Sequence, residues 1–111
     1  MTLKMRSVKN WGRLGMKYNI PDRVLKDIKI FAKTHGIQKV ILFGSRARGS
    51  HTQRSDIDIA VIGGDFDAFY WDIKEKTHSL LLFDIVDLNK RISDELQNQI
   101  DKEGVILYEK T

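Results

Sequence analysis

Leu42–Val61, LFGSRARGSHTQRSDIDIAV, is the stretch that decides the fold. It starts inside Lys39-Val40-Ile41-Leu42-Phe43, a nearly continuous apolar run that reads as a buried strand. Gly44 stops that run, and residues 44–55 form a polar loop with room for one helical turn. A second strand, Asp56-Ile57-Asp58-Ile59-Ala60-Val61-Ile62, follows and is stopped by Gly63-Gly64. Strand alternation puts the Asp56 and Asp58 carboxylates on one face, roughly 6.5–7 Å apart along the backbone.

Helices and strands alternate on either side of this stretch. Pro21 suits the first position of a helix, and Val24, Leu25, Ile28, Phe31 and Ala32 make one apolar stripe up to the stop at Gly36. Phe66, Phe69, Tyr70 and Ile73 mark a second helix from about Phe66 to Ser79. Leu82–Leu88 reads as a third strand carrying two acids. Ser93 is placed to cap a last helix bearing Leu96 and Ile100, which Gly104 ends before the final strand Val105–Tyr108. The order predicts an α/β fold, a small mixed sheet of about four strands packed with about three helices.

Composition narrows the function classes. At 111 residues the chain has room for one domain, and 41% hydrophobic with 31% charged residues suits a soluble globular protein. It has no cysteine, hence no disulfide framework and no thiolate chemistry, which fits a reducing compartment such as the cytoplasm. No apolar run is long enough to span a membrane, and the N-terminus lacks the apolar core of a secretory signal. The net charge of +4 is local: Lys4, Arg6, Lys9, Arg13 and Lys17 face no acid in residues 1–20, and the other 91 residues hold 14 bases and 15 acids. Residues 1–15 are therefore expected to be a basic extension, with Met16 a candidate natural start, and 16–111 a single domain.

Two carboxylates this close repel in a partly buried setting, and a divalent cation with hard-oxygen preference is the usual agent that offsets them. Gly44-Ser45 supplies the other half of a phosphate site, since glycine lets an anion approach the backbone N–H groups and serine adds a hydroxyl donor. Arg46, Arg48 and Arg54 lie in the same loop, and Arg is suited to bidentate phosphate contact, although a solvent-exposed loop cation is the plainer reading of each. A third acid could come from Asp84 or Asp87. Three apart on a strand, they face opposite sides, so only one can join the cluster. His35, His51 and His78 show no metal-ligand spacing. Trp71 lies off the second helix's stripe, either partly buried over a core edge or exposed as an anchor for a partner.

Gly44-Ser45, ten residues, then Asp56-x-Asp58 is the signature of the polymerase-beta-type nucleotidyltransferase superfamily. Leu42–Val61 and FDIVDLNKRISDELQNQIDKEGVILYE (Phe83–Glu109) resemble its minimal, antitoxin-type branch. The resemblance covers about Ile20 to Glu109. It implies the polymerase-beta-like core and selects Asp84, the acid before the apolar-apolar-Asp-Leu segment; Phe83 departs from the basic or β-branched residue common there. It implies two magnesium ions on Asp56, Asp58 and Asp84, with Asp84 also able to act as general base, and ATP as substrate. Gly44, Ser45, Arg48 and then Arg46 would hold the nucleotide.

The implied activity is transfer of AMP to a hydroxyl of a partner protein, tyrosine first. The partner would be a small helical HEPN-type toxin, or the site would be completed in a homodimer. Nucleic acid is not expected as the direct substrate. The competing readings are an antitoxin that binds nucleotide and masks its partner without turnover, and a small-molecule nucleotidyltransferase, which the lack of a substrate domain disfavours.

Overall fold

The computed structural model describes residues 18–52, 54–77 and 81–111. The basic extension, the start expected at Met16 and His78 lie outside the described residues; the helix expected to run from about Phe66 to Ser79 stops earlier, at Lys76, because Thr77 is extended (ψ 145°).

The elements run α1 (Asp22–Thr34), β1 (Lys39–Phe43), α2 (Ser45–Arg48), β2 (Ile57–Ile62), α3 (Phe66–Lys76), β3 (Phe83–Asp87), α4 (Asp94–Glu103) and β4 (Val105–Glu109). The strands form one mixed sheet in the order β3-β2-β1-β4, with β1 antiparallel to both β2 and β4 and β2 parallel to β3. The expected α/β fold, a small mixed sheet packed with helices, is the one observed. A fourth helix appears among the described residues because the loop after β1 does close into one turn, α2.

Alternation sorts the sheet into two faces. Val40 and Leu42 of β1, Ile57, Ile59 and Val61 of β2, Phe83 of β3 and Leu107 of β4 point to one side. There they bury against Val24, Leu25, Ile28 and Ala32 of α1 and Phe69 and Ile73 of α3. Phe43 and Ala60 point to the other side and meet Ile100 of α4, with Ile41, Val86, Leu88, Ile92 and Leu96 around them. This second face has one long helix over it, and on it Asp58 is half-buried and Asp84 exposed.

Local chemistry explains most ends. Ser93 Oγ accepts from Leu96 N at 3.1 Å and caps α4 as expected. Asp65 caps α3 through Ala68 N at 3.2 Å. Pro21 sits one residue earlier than expected: its ψ of 141° is extended, so it is the N-cap of α1, and its carbonyl accepts from Val24 N and Leu25 N. Asp56 stands just ahead of β2 rather than in it, because pairing with β3 begins at Ile57, opposite Phe83. Leu82 is likewise outside β3 and 70% exposed.

Two ties join distant elements. His35 Nε2 and Asp72 Oδ2 lie 2.6 Å apart, linking the end of α1 to α3. Lys74 Nζ donates to Phe83 O at 2.5 Å and covers part of the outer edge of β3.

Candidate active site

Asp58 is the centre of the site. On β2 it is opposite Phe43, the last residue of β1, and level with Asp84 on β3. Side chains level across adjacent strands share a face and stand about 5 Å apart. Asp58 and Asp84 are therefore neighbours, on the face that α4 covers only in part. Asp87 is level with Val61 on the opposite face, and its Oδ1 accepts from Asn89 N and Nδ2, each at 2.9 Å. The sheet thus brings Asp84 beside Asp58, while Asp87 shapes the turn after β3.

The electrostatics follow from this crowding. The Asp58 carboxyl is pushed up to about 6, by burial first, then by the charges of Asp84 and Asp56, with Glu103 adding and Arg48 opposing. Asp56, at the exposed head of β2, acts on Asp58 through its charge.

Gly44 meets Asp58 directly. Its φ is +79°, a conformation that side chains rarely adopt, and a Cβ there would overlap the Asp58 carboxylate. The backbone after β1 thus passes against the acid, and glycine is the residue that permits it. Ser45 follows as the first residue of α2.

Arg46 does not go where the sequence suggested. It is 0% exposed. Its guanidinium donates to Tyr18 O at 3.0 Å, Asn19 O at 2.7 Å and Ser55 O at 2.8 and 3.1 Å. Burial lowers its pKa while Asp56 and Asp58 raise it, and an arginine stays cationic in any case. It is a buried clamp between α2, the chain entering α1 and the chain entering β2, not an arm for phosphate. Its guanidinium fork supplies donors to carbonyls of the segments that lead into α1 and β2.

Arg48 is exposed at the end of α2, and Nη1 lies 3.2 and 3.1 Å from the two Glu103 oxygens. Arg54 is exposed, within a turn made by Thr52 and Ser55. Trp71, for which partial burial over a core edge was the plainer reading, is 57% exposed. It lies two residues from both Phe69 and Ile73, which turns it to the outer side of α3. It keeps an edge-on contact with Tyr70 at 5.2 Å between ring centroids.

Glu103 is the residue the sequence reading missed. It accepts from Gly44 N at 2.5 Å, from Gln99 Nε2 at 3.1 Å and from Arg48. Burial raises its pKa, but those hydrogen bonds outweigh it and hold the carboxyl below its usual value. A sequence signal existed: an acid at the last position of a helix, where the helix dipole disfavours negative charge.

Among the described residues no three His, Asp or Glu side chains are gathered into a ready-made metal cage. Nor, among them, is any helix long and apolar enough to cross a membrane.

Comparison with known proteins agrees with this geometry. Residues 26–111 match the family model described as polymerase beta, nucleotidyltransferase. A relative from Methanocaldococcus jannaschii, named "Putative protein adenylyltransferase MJ0604", is 39% identical over 80 residues, 65% of this chain and 79% of that protein. Among solved structures, a chain of a toxin–antitoxin complex with AMP-PNP superposes with a TM-score of 0.61 at 29% identity, covering 78% of this chain and 73% of that one. A chain of a mutant MntA–HpeT toxin–antitoxin complex superposes with a TM-score of 0.58 at 32% identity, covering 77% and 72%. This chain belongs to the polymerase-beta-type nucleotidyltransferase family.

Proposed function

We propose that the protein transfers AMP from ATP to a hydroxyl of a partner protein, and that it serves as the antitoxin of a toxin–antitoxin pair. The observation that carries this reading is the placement of Asp58, level with Asp84 on one side and pressed against Gly44 on the other. A relative named as a protein adenylyltransferase and neighbours that are toxin–antitoxin complexes, one with AMP-PNP, support the acceptor class and the nucleotide. The partner would be a helical HEPN-type toxin, and a reaction fed by ATP belongs in the cytoplasm.

The acids suit magnesium. They are hard oxygen donors that repel one another on a half-open face, and magnesium keeps water and phosphate oxygens as ligands, so it needs no complete protein cage. Asp56, Asp58 and Asp84 would hold it. When bound it neutralises phosphate charge and lowers the pKa of a coordinated hydroxyl. Gly44 and Ser45 would bind the outer phosphates, with Arg48 beside them. Asp84 would take the proton of the attacking hydroxyl as its oxygen bonds to the α-phosphorus, and the bond to pyrophosphate breaks. Fixing both reactants against one face of the sheet would supply the positional part of the rate gain.

The test uses α-labelled ATP, magnesium and the product of the neighbouring gene. Label should pass to that product, and Asp58→Ala should abolish the transfer and the neutralisation of toxicity together. Neutralisation by Asp58→Ala as strong as by the wild type would replace this reading with masking by contact.

A further inference from the structure

We propose that Glu103, a residue outside the phosphate and metal roles assigned above, is a positioning residue of the transfer site: it fixes the Gly44–Ser45 turn and tethers Arg48 to that turn. The proposal rests on the nucleotide-transfer reading of the site and extends it to α4.

The placement of Glu103 runs against its local preferences. Its side chain is 16% exposed, and it occupies the last residue of α4, where the helix dipole opposes a carboxylate. Three donors from three places offset this: Gly44 N at 2.5 Å, Gln99 Nε2 one helical turn back at 3.1 Å, and Arg48 Nη1 at 3.1 Å. All three reach the same oxygen, Oε2, and Arg48 Nη1 also lies 3.2 Å from Oε1. A conflict between local preference and global placement marks residues kept for a site.

Gly104 makes the contact possible. A Cβ there would lie 2.5 Å from Ile100 O and 2.8 Å from Ile41 Cγ2. Glycine lets the end of α4 close onto β1, where Val105 is level with Leu42, and so brings Glu103 to the residue that follows β1. The consequence is directional. Gly44 has an uncommon backbone conformation, φ +79° and ψ −158°, and an acceptor on its N–H holds that peptide and aims the next residue, Ser45. The tie to Arg48 removes rotamer freedom from a long exposed side chain before a phosphate arrives.

A merely structural ion pair would shift stability and leave nucleotide affinity alone, since exposed pairs contribute little and act on the fold. The experiment measures KM for ATP and kcat in AMP transfer, and Kd for the α,β-methylene analogue of ATP with magnesium, in Glu103→Ala and Glu103→Gln. Each is also combined with Arg48→Ala. Glu103→Ala should raise KM and Kd about tenfold while kcat changes by less than about threefold. Glu103→Gln, which keeps an acceptor for Gly44 N–H, should fall between it and the wild type, and it carries the test if the alanine variant fails to fold. Arg48→Ala should cost less in the Glu103→Ala background than in the wild type.

Wild-type KM and Kd in both Glu103 variants, or strict additivity with Arg48→Ala, would overturn the proposal. Absence of AMP transfer by the wild type overturns the proposed function instead, and the Kd comparison still decides Glu103. No binding of the analogue by the wild type overturns both.

Discussion

At the scale of single residues, Gly44 and Asp58 are one unit. Gly44→Ala places a Cβ against the Asp58 carboxylate and strains a positive φ, which alone costs about 1–2 kcal/mol. AMP transfer is expected to fall at least about tenfold, because the acid must move and sub-ångström placement is what such a site supplies. Transfer at the wild-type rate in this variant would show that the close approach has no role.

Asp58 also predicts a pH signature. Its carboxyl is raised to about 6 in the folded protein against an ordinary value of 3.8, so the folded chain binds more protons than the unfolded chain between these values. Stability from this group is therefore present below the unfolded value and is lost as pH rises through about 6. Asp58→Asn should melt above the wild type at pH 7.5, with the gap closing as pH falls toward 4. Thermal scans of both proteins across that range check it, and a gap independent of pH would refute the assigned crowding.

At the scale of elements, the ends of α4 set the geometry of the site. Ser93 caps its start, and Gly104 lets its end rest on β1. Gly104 has an ordinary φ of −62°, so Gly104→Ala tests contact alone, with no backbone strain. An overpacked contact of this kind costs roughly 1–3 kcal/mol, to be read from urea midpoints at constant m-value. AMP transfer should drop with it, as Glu103 is drawn away from Gly44.

The elements themselves were legible because period and punctuation agree: the stripe from Val24 to Ala32, the apolar runs at β1 and β2, and the Ser93 cap. Alternation on one strand also showed that only one of Asp84 and Asp87 could join the cluster, while the preference for Asp84 came from the family resemblance. Arg46 was not legible. In the sequence it is one of three loop arginines, and only the carbonyls of Tyr18, Asn19 and Ser55, brought together by the fold, distinguish a buried clamp from a phosphate arm. Glu103 reaches Gly44 across 59 positions, a distance that no local pattern reports.

At the scale of the whole molecule, the sheet divides the labour. One face, under α1 and α3, holds the main core, and the other carries Asp58 and Asp84 beside α4. Keeping like charges together on that half-open face costs stability in the absence of a cation. Magnesium with ATP should consequently raise the melting temperature through ligand linkage, by more than either component alone. The same should hold to a lesser degree in Asp84→Asn, which removes one repelling charge along with one donor.

The most direct test of the site is the pair Asp84→Ala and Asp87→Ala, assayed by intact mass for AMP added to the partner protein. These acids share β3 and differ in the face they occupy. The account predicts that Asp84→Ala adds no AMP, while Asp87→Ala adds it at a rate within a few-fold of the wild type. Transfer that survives Asp84→Ala, or that is lost equally in Asp87→Ala without loss of folding, would contradict it.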